Sequence, residues 1–249
     1  SRFKIKLDRG LKVVLSLLAI FIILGVILPP FSPYDIRSWN QLPRNLLPSA
    51  EHFLGTTNLG QDTFWLLTHA IQNSLIIGVF VAFFSTAIGV LAGLTAGYIG
   101  GVVDRVLTML MDVFIVIPSL PILILMASLL QGRASLILIS TILVIFNWPW
   151  PARQARAIAL SMREREFINT ARFSGSSTFY IITREILPYI LSWTMANFVN
   201  TVLVAIATES GLAVIGLSSL EQATLGTMIY WALQHQALLG QRWWWIGSP

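Results

Sequence analysis

Residues 75–98 read LIIGVFVAFFSTAIGVLAGLTAGY, twenty-four positions without one charged side chain. A helix that crosses the hydrocarbon core of a bilayer needs about 20 predominantly apolar residues. Only helices and closed barrels satisfy every backbone N–H and C=O there without water. The stretch therefore reads as a transmembrane helix. Within it Ser85, Gly89, Gly93 and Gly97 recur at every fourth position, with Ala92 and Ala96 beside them. That interval stacks small residues on one helix face and predicts close approach of a neighbouring backbone.

Working outward, four more segments have the same character: about 11–28, 106–130, 136–151 and 189–208. The first follows a basic stretch and stops at Pro29-Pro30. Its length, with no small-residue cleavage site after it, reads as a retained signal anchor rather than a removed signal peptide. Pro118 and Pro121 are expected to kink the third span, because each lacks a backbone donor and clashes with the preceding turn. Composition agrees. Of 249 residues 55% are hydrophobic and 11% charged, with a mean hydropathy of +0.75. Soluble domains carry about 25% charged residues, so this chain cannot cover a globular surface. The fold class is all-α, a polytopic membrane helix bundle.

The net charge of +5 suggests nucleic acid until the basic residues are placed, for they cluster beside the spans. With the N-terminus in the cytoplasm, twelve of the sixteen Lys and Arg fall inside and four outside (Arg37, Arg44, Arg133 and Arg242), which is the positive-inside bias. Five spans leave the C-terminus outside. Trp243-Trp244-Trp245 then resembles an interfacial belt, so a sixth span is expected to follow Trp245, ahead of the alternative of five spans with an interfacial tail. Trp148 and Trp150 read as interfacial anchors rather than as a stacking surface for sugars. Cysteine is absent, which removes disulfides, thiolate metal sites and a cysteine nucleophile.

Polar residues at membrane depth are few. Asp112 lies near one end of span three, a depth that favours a structural partner such as an arginine over a proton relay. Asn147, Asn197, Asn200 and Thr201 either line a polar path or bond across helices. An intramembrane enzyme would need paired catalytic groups, and Asp112 stands alone. No catalytic, cofactor or metal residues are assigned. His52, His69 and His235 lack a ligand spacing such as His-x-x-x-His.

The segment 152–188 is polar yet patterned. Residues 162–173 read as a short helix, Ser174-Gly175-Ser176-Ser177 as a break, and 178–185 as a second helix before Leu187-Pro188. Ile168, Ala171 and Gly175 share one side. That side either docks into a groove on a partner or lies on the chain's own membrane domain.

This segment resembles the Glu-Ala-Ala loop of ABC importer membrane subunits, through Ala171, Gly175, Leu187 and Pro188, with Asn169 and Thr170 where that family has Glu and Ala. Arg163-Glu164-Arg165-Glu166-Phe167 is similar to a run in the peptide/nickel branch. His52-Phe53-Leu54-Gly55-Thr56-Thr57-Asn58-Leu59-Gly60-Gln61-Asp62 resembles a motif of that branch's C-type subunit, departing at Thr57 and Gln61. Gly89–Gly101 followed by Val103-Asp104-Arg105, Met111-Asp112-Val113 before Ile117-Pro118-Ser119, and 211–217 continue the likeness over residues 50–220. The resemblance implies a type I ABC importer transmembrane domain over 75–249, preceded by a tail, first span and external loop over 1–74. It implies a permease for a peptide-type substrate, ranked ahead of oligosaccharide and nickel, in the plasma membrane of a prokaryote. Its implied partners are a homologous second permease, two cytoplasmic ATPases and an external substrate-binding protein, with residues 30–73 and 210–242 facing the last. Arg165, Glu166, Phe167, Asn169, Thr170, Ala171, Gly175, Leu187 and Pro188 would form the ATPase-coupling loop. No Gly-x-x-x-x-Gly-Lys-[Ser/Thr] phosphate loop occurs, so ATP hydrolysis is expected in partner subunits.

Overall fold

A computed structural model of the chain describes residues 9–130 and 135–249. Arg2, Lys4, Lys6 and Arg133, which entered the charge count, lie outside the described residues. The architecture is all-α. Helix α1 (Arg9–Ile22) runs on through a π-turn (Ile23–Ile27) and stops in a single turn at Pro29–Phe31. Val13, Leu17, Phe21 and Val26 all lie exposed on it, as on a helix solvated by lipid.

Helix α2 (Thr63–Ile99) begins twelve residues before the expected start of span two. The cause is Asp62, whose Oδ1 accepts from the N–H groups of Phe64 (2.9 Å) and Trp65 (3.1 Å), satisfying orphan donors of the first turn. Gly100 and Gly101, at φ +72° and +61°, reverse the chain into α3 (Gly101–Val116). At Ile117-Pro118 the expected kink is a bend of 72° into α4 (Ser119–Leu130).

Helices α5 (Leu136–Asn147) and α6 (Pro149–Met162) together make one span-length element, Leu136–Met162. Residues 152–162 are thus helix, not loop. Next come α7 (Glu166–Phe173), α8 (Thr178–Tyr180), a π-helical stretch (Ile181–Ile186), α9 (Leu187–Tyr189) and α10 (Leu191–Val214). Helices α11 (Leu225–Gln234) and α12 (Trp243–Ile246) follow. By length and apolarity three described helices, or four with the bent α3–α4 pair, can cross a membrane, while the first expected span is represented by a shorter apolar helix, Lys12–Ile27.

Two compact units result, one of residues up to 76 with 213–249, the other Ile77–Leu212. The second holds two main cores. Val90, Leu94, Ala155, Ala159, Ile168, Ile181 and Ile186 pack together in one. Ile77, Val81, Leu123, Leu143, Ala205 and Leu212 anchor the other. In the first unit Leu66, Ala70 and Met228 form one cluster, and Ala232, Ala237, Trp244 and Trp245 a second. Trp244 and Trp245 are buried within their unit, not displayed as the interfacial belt expected of them.

Candidate functional site

The glycine stripe of α2 faces α6. A Cβ on Gly89 would lie 2.6 Å from the Trp148 carbonyl oxygen, one on Gly93 would lie 2.2 Å from that of Ala152, and one on Gly97 would lie 2.5 Å from that of Arg156. Ala155 and Ala159 supply the small residues opposite. Ser85 is buried on the same helix, and its hydroxyl reaches the Val144 carbonyl at 3.5 Å. Here the two helix backbones touch, with almost no side chain between them.

That close pair carries charge on its other flank. Arg156 of α6 clasps Asp104 of α3 through two nitrogens, the longer contact being 2.7 Å, in a partly buried setting. Arg153 pairs with Asp112, and both are about half exposed. The arginine expected as a partner for Asp112 is therefore a residue read as loop. Asp104, Asp112 and Arg156 line an open groove of about 930 Å³ along α3.

The polar segment is built from local rules. Arg165 precedes α7 in extended conformation. At the other end Ser176 N–H donates to the Ala171 carbonyl and Gly175 N–H to that of Arg172, with Gly175 at φ +80°. This is a Schellman termination, which favours glycine at the left-handed position. Ser177 then caps the next helix, its Oγ accepting from Tyr180 N–H at 3.2 Å.

Ile168 is fully buried, and Ala171 and Leu187 are half-buried against the same core. Of the side formed by Ile168, Ala171 and Gly175, the first two thus lie on the chain's own core, whereas Gly175 is exposed. Arg165, Glu166, Phe173, Gly175, Phe179 and Pro188 point outward, Phe173 at 89% exposure. Phe167 stacks on Tyr189 with ring centroids 6.4 Å apart. Thr170 bonds back to the Glu166 carbonyl, and Asn169 is half-buried. Arg172, not singled out by sequence, lies over the Tyr98 ring at 5.9 Å. Both border a pocket of about 380 Å³ that Arg163 also lines.

Of the expected pathway residues, Asn197 donates to Thr86 Oγ1 (3.3 Å) and buried Thr201 to the Asn197 carbonyl (2.9 Å). Asn197 thus bonds across to α2, and Thr201 bonds within α10 itself. Asn147 likewise bonds to its own helix, at the Leu143 carbonyl. Asn200 alone stays on the open face of α10, beside exposed Val199 and Leu203.

In the first unit, the motif from His52 to Asp62 is a folded turn. His52 Nδ1 lies 2.7 Å from Asp62 Oδ2, both buried. Buried Thr56 accepts from the Leu46 N–H and donates to the Pro43 carbonyl. Trp244 Nε1 donates to the Thr56 carbonyl (3.3 Å), and Asn58 Nδ2 meets His235 Nδ1 at 3.1 Å. Burial, with Arg242 and Arg44 nearby, holds His235 below the usual histidine range. The Arg37 N–H and the Ser38 hydroxyl hold Asp35 below the carboxylate range. Among the described residues, no three His, Cys, Asp or Glu side chains gather as a metal site would require.

Residues 89–239 match the family model described as the binding-protein-dependent transport system inner membrane component. The chain is 34% identical over 219 residues to the oligopeptide transport system permease protein OppC of Mycobacterium bovis, covering 86% of this chain and 74% of that one. It is 30% identical over 236 residues to the dipeptide transport system permease protein DppC of Bacillus subtilis, covering 94% and 72%. The OppC of Bacillus subtilis is 30% identical over 216 residues, covering 86% and 70%. The matched region takes in the α2–α6 contact, the α3–α6 ion pairs and the helix–turn–helix of α7 and α8, and the chain belongs to the inner-membrane-component family of binding-protein-dependent transport systems.

Proposed function

We propose that this chain forms half of the translocation pathway of an ATP-driven importer of peptide-type substrates, and that 163–189 is where cytoplasmic ATPase subunits grip it. The peptide class is inferred from relatives that transport oligopeptides and dipeptides by name. One observation supports the grip above others. Ile168, Ile181 and Ile186 root the helix–turn–helix in the same core as Val90 and Leu94 of α2 and Ala155 of α6. A force on exposed Phe173 or Phe179 is thereby transmitted to the membrane helices as a rigid body.

Closure of the ATPases on nucleotide would drag this rooted element and switch the pathway between inward and outward access. The drive is the difference in nucleotide affinity between the two states. A homologous second permease would complete the pathway. Only 17% of the apolar window of α10 is buried, against 44% for α2 and for Leu136–Met162, which leaves α10 the least covered of the three span-length helices and a face for a partner. The N-terminus would be cytoplasmic, in a prokaryotic plasma membrane. The contacts of Asn58 with His235 and of Thr56 with Trp244 support one shared side for the loop after α1 and the segment after α10. That side would meet the external binding protein.

The test is purification of the tagged chain from its host followed by reconstitution. A P-loop ATPase should copurify, and ATP should drive uptake of a labelled tripeptide when the loaded binding protein is added. Deletion of 163–189 should abolish both. An assembly that survives deletion and still couples ATP to uptake would refute the assignment.

A further inference from the structure

The first unit contains a cavity of about 310 Å³ whose lining includes Arg37, Trp39, Glu221, Gln222, Trp231 and Trp245. Its volume lies at the lower end of the range for small-molecule sites, about 300–1,000 Å³. Trp245 is 1% exposed, and its indole N–H has no hydrogen-bond partner among the described residues. A buried donor without an acceptor calls for an explanation, and an absent ligand is one. The Arg37 guanidinium makes no ion pair among the described residues, Arg37 meeting Asp35 through its backbone N–H (3.0 Å), and Glu221 makes no ion pair among them either. Trp39 meets Trp231 edge-on at 5.7 Å, Trp231 stacks on His235 at 6.0 Å, and His235 on Trp245 at 5.8 Å. An aromatic ladder therefore backs the cavity.

The chemistry of the lining is directional. The indole N–H and the guanidinium are donors only, so a group bound at either must be an acceptor, and a carboxylate with its two oxygens can serve both. Arg242 and Arg44 act on the adjacent His235, adding positive potential on that side. Glu221 only accepts when ionised and suits an ammonium, while the faces of Trp39 and Trp231 suit a cation or an apolar side chain.

We propose that this cavity is a binding site for the zwitterionic backbone of a short peptide, with the carboxylate at Trp245 and Arg37 and the ammonium towards Glu221. It lies within the first unit and would hold peptide on the side of the binding protein. The proposal rests on the peptide-importer reading and its topology.

The test uses the assembled transporter in nanodiscs, without binding protein or nucleotide, titrated with trialanine and followed by calorimetry. Wild type should bind saturably. Trialanine amide should bind about tenfold more weakly or worse, the loss that about 1.4 kcal/mol represents. Trp245→Phe, which keeps an aromatic ring and removes the N–H, should weaken trialanine similarly. Arg37→Gln should do the same, and its exposed position keeps the test valid if the tryptophan variant misfolds. Absence of saturable binding, equal binding of acid and amide, or wild-type affinity in both variants overturns the site. Uptake of trialanine by cells separates the two readings. Uptake without such variant-sensitive binding removes the cavity proposal alone, whereas absence of uptake removes the peptide reading beneath it.

Discussion

The α-carbon of Gly93 lies so near the carbonyl of Ala152 that a methyl group built on it would sit 2.2 Å from that oxygen. Neither atom is the tip of a flexible side chain, so relief requires moving a helix. Gly93→Ala should destabilise the protein by about 2 kcal/mol or more, near the upper part of the range for overpacked cores. Gly211 of α10 is the contrast, with nothing within 4 Å of a methyl group placed there. Gly211→Ala should be neutral or stabilising by up to about 1 kcal/mol. Melting curves of the detergent-solubilised protein distinguish the two. Similar losses at both positions would mean that backbone contact does not hold α2 on α6.

The two ion pairs of α6 should differ in weight. Asp104→Asn removes the charge and one of the two acceptor oxygens of a partly buried, two-nitrogen clasp and should cost on the order of 1–3 kcal/mol, as for hydrogen bonds to charged groups. Asp112→Asn breaks a half-exposed pair and should cost about 1 kcal/mol at most. Denaturation midpoints measure both. The reverse order would show that the exposed groove, not the buried clasp, holds α3 in place.

Stability should also depend on pH through His235. Its folded pKa is depressed first by burial, then by Arg242 and Arg44. As pH falls, the unfolded chain takes up this proton first, near the ordinary value of 6.5. The contribution of the neutral ring is thus fully present above pH 6.5 and is lost as pH drops towards the lower folded value. Protonation at Nδ1 would also end its acceptance of the Asn58 bond. Melting temperature should therefore decline below pH 6.5, and His235→Gln should flatten that part of the curve. An unchanged slope in the variant would remove His235 as the cause.

Gly175 offers a separation of strain from crowding. No atom lies within 4 Å of a side chain placed there, yet φ is +80°. A β-branched residue incurs the left-handed penalty, roughly 1–2 kcal/mol, while asparagine tolerates that conformation. Gly175→Val should weaken ATPase copurification and Gly175→Asn should largely preserve it. Equal losses would point to the glycine surface itself, not the turn.

Much of the membrane core was legible because length and apolarity suffice to define a span. The sequence misleads where polarity is neutralised by a partner on another helix. Arg153 and Arg156 looked like loop residues, but their partners on α3 let α6 continue to Met162. Thr68, His69 and Asn73 lower the apolarity of early α2, and Asp62 is the sign of its start. Ile168 and Ala171 were recognisable as one side of a helix. Whether that side met a partner or the chain's own core depended on Ile181 and Ile186, contributed by residues beyond the turn. The tryptophans at 244 and 245 matched an interfacial pattern, but their burial depends on Thr56 and Ala232, distant in sequence.

Because the sequence contains no cysteine, a single engineered thiol is unique within it. Phe173→Cys, at the most exposed aromatic of the helix–turn–helix, should cross-link to the ATPase subunit in native membranes, with a yield that changes on adding ATP. Leu239→Cys, equally accessible at 80% exposure in the other unit, should give no such product. Cross-linking from Leu239 but not from Phe173 would contradict both the coupling role of 163–189 and the orientation assigned to the chain.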